Sequence, residues 1–125
     1  MIRPWRIFKD LRKTSEAVFG DKNRLFKLIK ESGVKALTVD SFESIRDELK
    51  VLFQLLKDYK NGEYREISKT TILMIVSALI YLINPLDLVP DFILGIGFLD
   101  DLTVFGYLLK KIKTELDKYK TWKGL

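Results

Sequence analysis

The chain has 125 residues, with 22 Lys and Arg against 17 Asp and Glu, a net charge of +5, and neither His nor Cys. That length fits one ordinary domain, long enough to bury a real core. Without Cys there are no disulfides, thiolate zinc sites, iron–sulfur clusters or Cys nucleophiles, and without His the commonest general base and metal ligand is missing. A hydrophobic content of 47%, with 12% aromatic residues, excludes a solvated disordered chain.

Pro4 is placed as a first-turn proline, and Trp5, Phe8, Leu11, Val18 and Phe19 follow at roughly helical spacing up to a stop at Gly20. Asp21 is expected to cap a second short helix carrying Leu25, Phe26, Leu28 and Ile29, ending near Ser32-Gly33. Both helices interleave aromatics with Lys and Arg. This suits a helix lying on a membrane surface and also a helix packed on a bundle.

Asp40 and Glu43 have capping-box spacing. Behind them Phe42, Ile45, Leu49, Leu52, Leu56 and Tyr59 step by three and four, a regular seam closed by Asn61-Gly62. The seam is too short for an independent coiled coil, so intrachain packing is expected.

The next helix is expected to begin within residues 64 to 69. From Ile72 to Ile83 only Ser77 is polar, so this helix should be buried in protein or in lipid. Twelve residues span about 18 Å, whereas the hydrocarbon layer is about 30 Å thick. A single-pass span therefore fits poorly, and a re-entrant hairpin or a core helix fits better. Pro85 and Pro90 break the helical pattern, and Gly97 adds to a turn-rich connection. Asp100 is a candidate cap for a last helix carrying Leu102, Val104, Phe105, Leu108, Leu109, Ile112 and Leu116, which turns basic towards its end.

Charge is unevenly distributed. Residues 70–109 contain no Lys or Arg and four acids, Asp87, Asp91, Asp100 and Asp101. The other 85 residues carry 22 basic and 13 acidic side chains, net +9. A basic frame thus surrounds an apolar segment charged only negatively, which suits an anionic partner. Trp5 and Trp122, near the two ends, are flanked by basic residues such as Arg6, Lys9, Arg12 and Lys13, and form a candidate membrane-interface set. The first residues lack the apolar run of a cleaved secretory signal, so none is expected.

Residues 81–101 read YLINPLDLVPDFILGIGFLDD. This resembles the small YkvA-like family, a domain of unknown function. Its pattern is a Tyr before a Pro-x-Asp-x-(Ile/Val)-Pro-Asp turn, then a Gly and an Asp-Asp pair. Tyr81, Pro85, Asp87, Val89, Pro90, Asp91, Gly97, Asp100 and Asp101 match it, and Leu94 departs from a Pro common in the family. The resemblance extends to residues 63–118 by hydrophobic pattern and leaves residues 1–60 uncovered. It implies a small membrane-associated helical protein, with no catalytic activity attached to the motif.

A buried carboxylate needs partners. Three readings of the four acids compete: helix caps and turn acceptors, a divalent-cation cluster, or a position at the aqueous end of a membrane hairpin or against the basic frame of a second copy. No His, Gly-rich phosphate loop or nucleophile elbow supports catalysis.

The expected fold is all-α: a small helical bundle with amphipathic N-terminal helices (residues 1–62) and an apolar C-terminal helical hairpin (residues 63–125). The expected protein is membrane-associated at the cytoplasmic face through anionic lipid, with residues 70–109 entering or lying in the bilayer as its transmembrane helical element. Its role would be scaffolding, membrane organisation or partner binding, without catalysis and without a cofactor. Alternatives are a soluble bundle for protein interaction or self-association, and an Asp-bound divalent-metal enzyme acting on phosphate esters. Nucleic acid is disfavoured, because basic charge comes without a recognised motif.

Overall fold

In a computed structural model of the chain, residues 4–38, 43, 45–83 and 101–125 are described. Among them are seven helices and no strand: α1 (Pro4–Asp10), α2 (Arg12–Gly20), α3 (Lys22–Thr38), α4 (Arg46–Lys60), α5 (Lys69–Ile83), α6 (Asp101–Lys111) and α7 (Lys113–Lys123). The all-α bundle expected from the sequence is the observed class.

The N-terminal helix is realised in two pieces. Leu11 leaves helical geometry (φ −93°, ψ 4°) while its carbonyl still accepts from Ser15 N at 2.8 Å. Asp21 caps α3, its Oδ1 accepting from the backbone N–H groups of Asn23 (3.0 Å) and Arg24 (3.2 Å).

Two boundaries differ from expectation. First, α3 does not stop at Ser32-Gly33 but runs to Thr38. Ser32 is fully buried, and the Lys35 ammonium beyond it donates to the carbonyl of Leu82 on α5. Packing on α4 and α5 outweighs the helix penalty of a single Gly, about 1 kcal/mol. Second, α4 begins at Arg46 with Ile45 at its N-cap, where no side chain caps the helix. Of the expected capping box, Asp40 lies outside the described residues. Phe42, the first residue of the expected seam, also lies outside the described residues; in the rest of the seam Leu49, Leu52 and Leu56 are buried, Ile45 and Tyr59 pack against the core, and Gly62 follows at φ 84°.

α5 is the axis of the bundle. α1, α2, α3 and α6 all pack on it, and α4 packs on α3. Ile72, Ile75, Val76, Ala78, Leu79 and Leu82 are fully enclosed by protein. Residues from α1 to α7 share one hydrophobic cluster, so the N-terminal helices lie on the C-terminal hairpin. The expected transmembrane helix is therefore corrected. α5 has 15 residues, and among the described residues no helix is long and apolar enough to cross a membrane.

The last helix is also broken. Ile112 interrupts it (φ −104°, ψ 11°), and α7 carries the chain past Leu116 to Lys123. Gly124 closes it in the left-handed region (φ 82°), with Leu125 N donating to Lys120 O at 2.9 Å.

Candidate functional site

Of the motif residues, Pro85, Asp87, Pro90, Asp91, Gly97 and Asp100 lie outside the described residues. Asp101 opens α6. Among the described residues no group of three or more acids could hold a metal ion.

The basic candidates fare differently from one another. Arg6, Lys9, Arg12 and Lys13 are all exposed on α1 and α2. Lys9 and Arg12 are brought together with Lys111, from the end of α6, around a groove of about 260 Å³. Its walls are apolar: Phe8 of α1, Leu73 and Met74 of α5, and Tyr107 of α6. The Phe8 and Tyr107 rings stack at 5.7 Å and 24° across the α1–α6 contact. Ser77, deeper on α5, is buried, and its hydroxyl is spent on the carbonyl of Leu73 at 2.8 Å. Arg12 also makes a solvated ion pair with Glu16 at 3.3 Å, the kind that contributes little. The groove is thus an apolar slot with a cationic mouth.

Trp122 belongs elsewhere. It is half-exposed and packs on Tyr64 (4.9 Å) and Tyr119 (5.9 Å), with the Lys123 ammonium 5.9 Å from its ring. Through Tyr119 this aromatic group adjoins the one buried acid among the described residues, Asp58. Asp58 Oδ2 accepts from Tyr119 Oη at 2.6 Å and from Lys123 Nζ at 2.9 Å. Burial alone would raise the Asp58 pKa. The Tyr119 and Lys123 hydrogen bonds and the Lys123 charge outweigh it and hold the carboxyl below its ordinary value. Burial, and next the Asp58 hydrogen bond, push the Tyr119 phenol well above its own range. A carboxylate this well partnered is a structural tie between α4 and α7, not a catalytic base.

A second carboxylate closes the base of the hairpin. Ser68 caps α5, its Oγ accepting from Thr71 N at 3.2 Å. Glu115 of α7 then accepts from Ser68 N (2.8 Å) and Thr71 Oγ1 (2.6 Å). The acid sits where the helix dipole favours negative charge.

Sequence reasoning missed Lys111, Met74 and Tyr107 as groove residues. Lys111 was readable only as a basic helix end, because nothing in the chain order links it to Lys9. Asp58 and Tyr119 had a local signal: Tyr119 continues the three-residue step from Leu116, and Asp58 stands three residues after Leu55, an acid beside the apolar seam of α4.

Residues 71–107, which form most of α5, the connection and the first half of α6, match the family described as "Protein of unknown function (DUF1232)". The chain is also 44% identical over 71 residues to the "Uncharacterized membrane protein YkvA" of Bacillus subtilis (strain 168). That alignment covers 57% of this chain and 67% of the relative. The chain belongs to the YkvA-like family. No solved structure matches the chain significantly. The DUF1232 match therefore centres on the axis helix of the bundle and its hairpin partner, while the three cations at the mouth of the groove, Lys9, Arg12 and Lys111, lie outside residues 71–107.

Proposed function

We propose that the protein is a membrane-associated, non-catalytic helical bundle that works as a scaffold, membrane organiser or partner-binding module at the cytoplasmic face. The observation that carries this reading is the 44% identity to a relative named as a membrane protein. Two further features support it. The cations Lys9, Arg12 and Lys111 are displayed together on one surface, as attraction to an anionic leaflet requires. Residues 84–100 are apolar apart from Asn84 and three of the four acids, so this stretch has the composition to reach into lipid with its carboxylates at the wet end. Attachment then combines a basic surface with this connection, and α5 stays inside the protein.

A second reading is a bundle that binds a protein partner or itself without a membrane. The enclosure of α5 by α1, α2, α3 and α6 favours it, since the apolar helix is already satisfied.

Fractionation of the untagged protein separates the two. Membranes are washed in turn with high salt, carbonate and detergent. Release by salt means that the basic surface holds the protein. Release only by detergent means that residues 84–100 enter the bilayer. Recovery in the first supernatant would retire the membrane reading in favour of the second.

A further inference from the structure

We infer that the groove between α1, α5 and α6 is a binding site for a single anionic phospholipid of the membrane surface. Part of an acyl chain would lie in the slot, and the phosphate would rest among Lys9, Arg12 and Lys111. The inference rests on the membrane reading above and makes it specific to one place on the protein.

Three observations converge on this occupant. The slot walls, Phe8, Leu73, Met74 and Tyr107, offer no charge; of the three hydroxyls in the lining, that of Ser77 is bonded to the Leu73 carbonyl, and the other two belong to the exposed Thr70 and to the part-buried Tyr107. A slot walled mainly by apolar side chains, with no charge inside it, suits hydrocarbon better than a sugar or nucleotide. Its volume, about 260 Å³, suits one thin chain segment. The mouth carries three cations from three helices, and among the described residues only Arg12 of the three has an acidic neighbour in an ion pair, Glu16 on its own helix. Lys111 ends α6, where a cation is favoured by the helix dipole. Glu115, one turn further on, is turned to Ser68 and Thr71. An amphiphile with an apolar tail and a negative head is complementary to both halves of this surface.

The test has two arms. In solution, dihexanoyl phosphatidylglycerol is titrated below its micelle concentration while the Met74 methyl is followed by NMR. In flotation, the protein is mixed with phosphatidylglycerol or phosphatidylcholine vesicles. The expected result is a saturable Met74 shift that short-chain phosphatidylcholine does not reproduce, together with flotation on phosphatidylglycerol. Met74→Trp, which fills the slot, abolishes the lipid response. The pair Lys9→Gln and Lys111→Gln leaves the walls intact and lowers vesicle partitioning by about thirtyfold, at roughly fivefold per cation near an anionic leaflet. The remote exposed pair Lys27→Gln and Lys50→Gln costs much less. Flotation without any Met74 shift overturns the groove and leaves the membrane reading standing. Equal losses for the two Lys pairs also overturn it, because the attraction is then diffuse. A Met74 shift without flotation keeps the groove and overturns the membrane reading. Saturation by a basic or neutral peptide instead of the lipid would make the occupant a protein and overturn the inference.

Discussion

Asp58 ties two helices that are far apart in sequence, and its partners decide what each substitution does. Tyr119→Phe removes a hydrogen bond to a charged group, worth about 1.5–3 kcal/mol, and urea unfolding should show a loss of that size. The pH dependence has a definite sign. The Asp58 carboxyl titrates lower in the folded protein than its ordinary 3.8, so it contributes stability above that value and loses it as pH falls through the folded pKa. Asp58→Asn should therefore be less stable than wild type at neutral pH, and the gap should close below pH 3.8. Stability curves that stay parallel down to strong acid would show that the tie carries no ionic share. Tyr119, which holds this carboxylate, is itself packed against Tyr64 and Trp122, so the tie sits beside an aromatic group.

At the scale of the element, α5 shows how a helix can be apolar all round without being a membrane span. Its N-terminus is fixed twice, by Ser68 and by Glu115 across the hairpin. Ser68→Ala should cost about 1 kcal/mol, measured by thermal or denaturant unfolding. Leu79, fully buried on the same helix, should cost about 2–5 kcal/mol as Leu79→Ala, because a cavity opens in the core around α5. A cost under 1 kcal/mol would mean that α5 is not packed in this way in solution. Gly62 is the one turn glycine after α4 whose conformation matters, since at φ 84° any side chain adds about 1–2 kcal/mol of strain.

For the whole molecule, the bundle predicts where protection concentrates. Amide hydrogen exchange is slowest in the elements with the most buried contacts. In detergent-free buffer the slowest amides should lie in α5, with α1 and the end of α7 exchanging earlier. If α5 became protected only after vesicles were added, its partner would be lipid rather than α1, α2, α3 and α6. The molecule also joins the two halves of its charge pattern. Residues 1–60 supply most of the basic frame, and they lie on the apolar hairpin instead of standing apart from it.

How much of this was legible follows from the range of each force. Local periodicity dictates that Leu49, Leu52 and Leu56 share a face, that Asp21 caps a helix, and that Gly62 ends one, because these depend on neighbours within a turn. The family resemblance was equally readable, from the spacing of Tyr81, Pro85 and Pro90. The arithmetic of residues 72–83 already showed a helix too short for a bilayer, yet it left lipid and protein open as surroundings. Only the tertiary structure chose protein, because burial is a property of what packs on a face and not of the face itself. It likewise extended α3 through Gly33, where contacts with α4 and α5 outweigh a local propensity. It also brought Lys9, Arg12 and Lys111 around one apolar slot. Charges about a hundred residues apart become a site only when the folded chain sets their helices side by side.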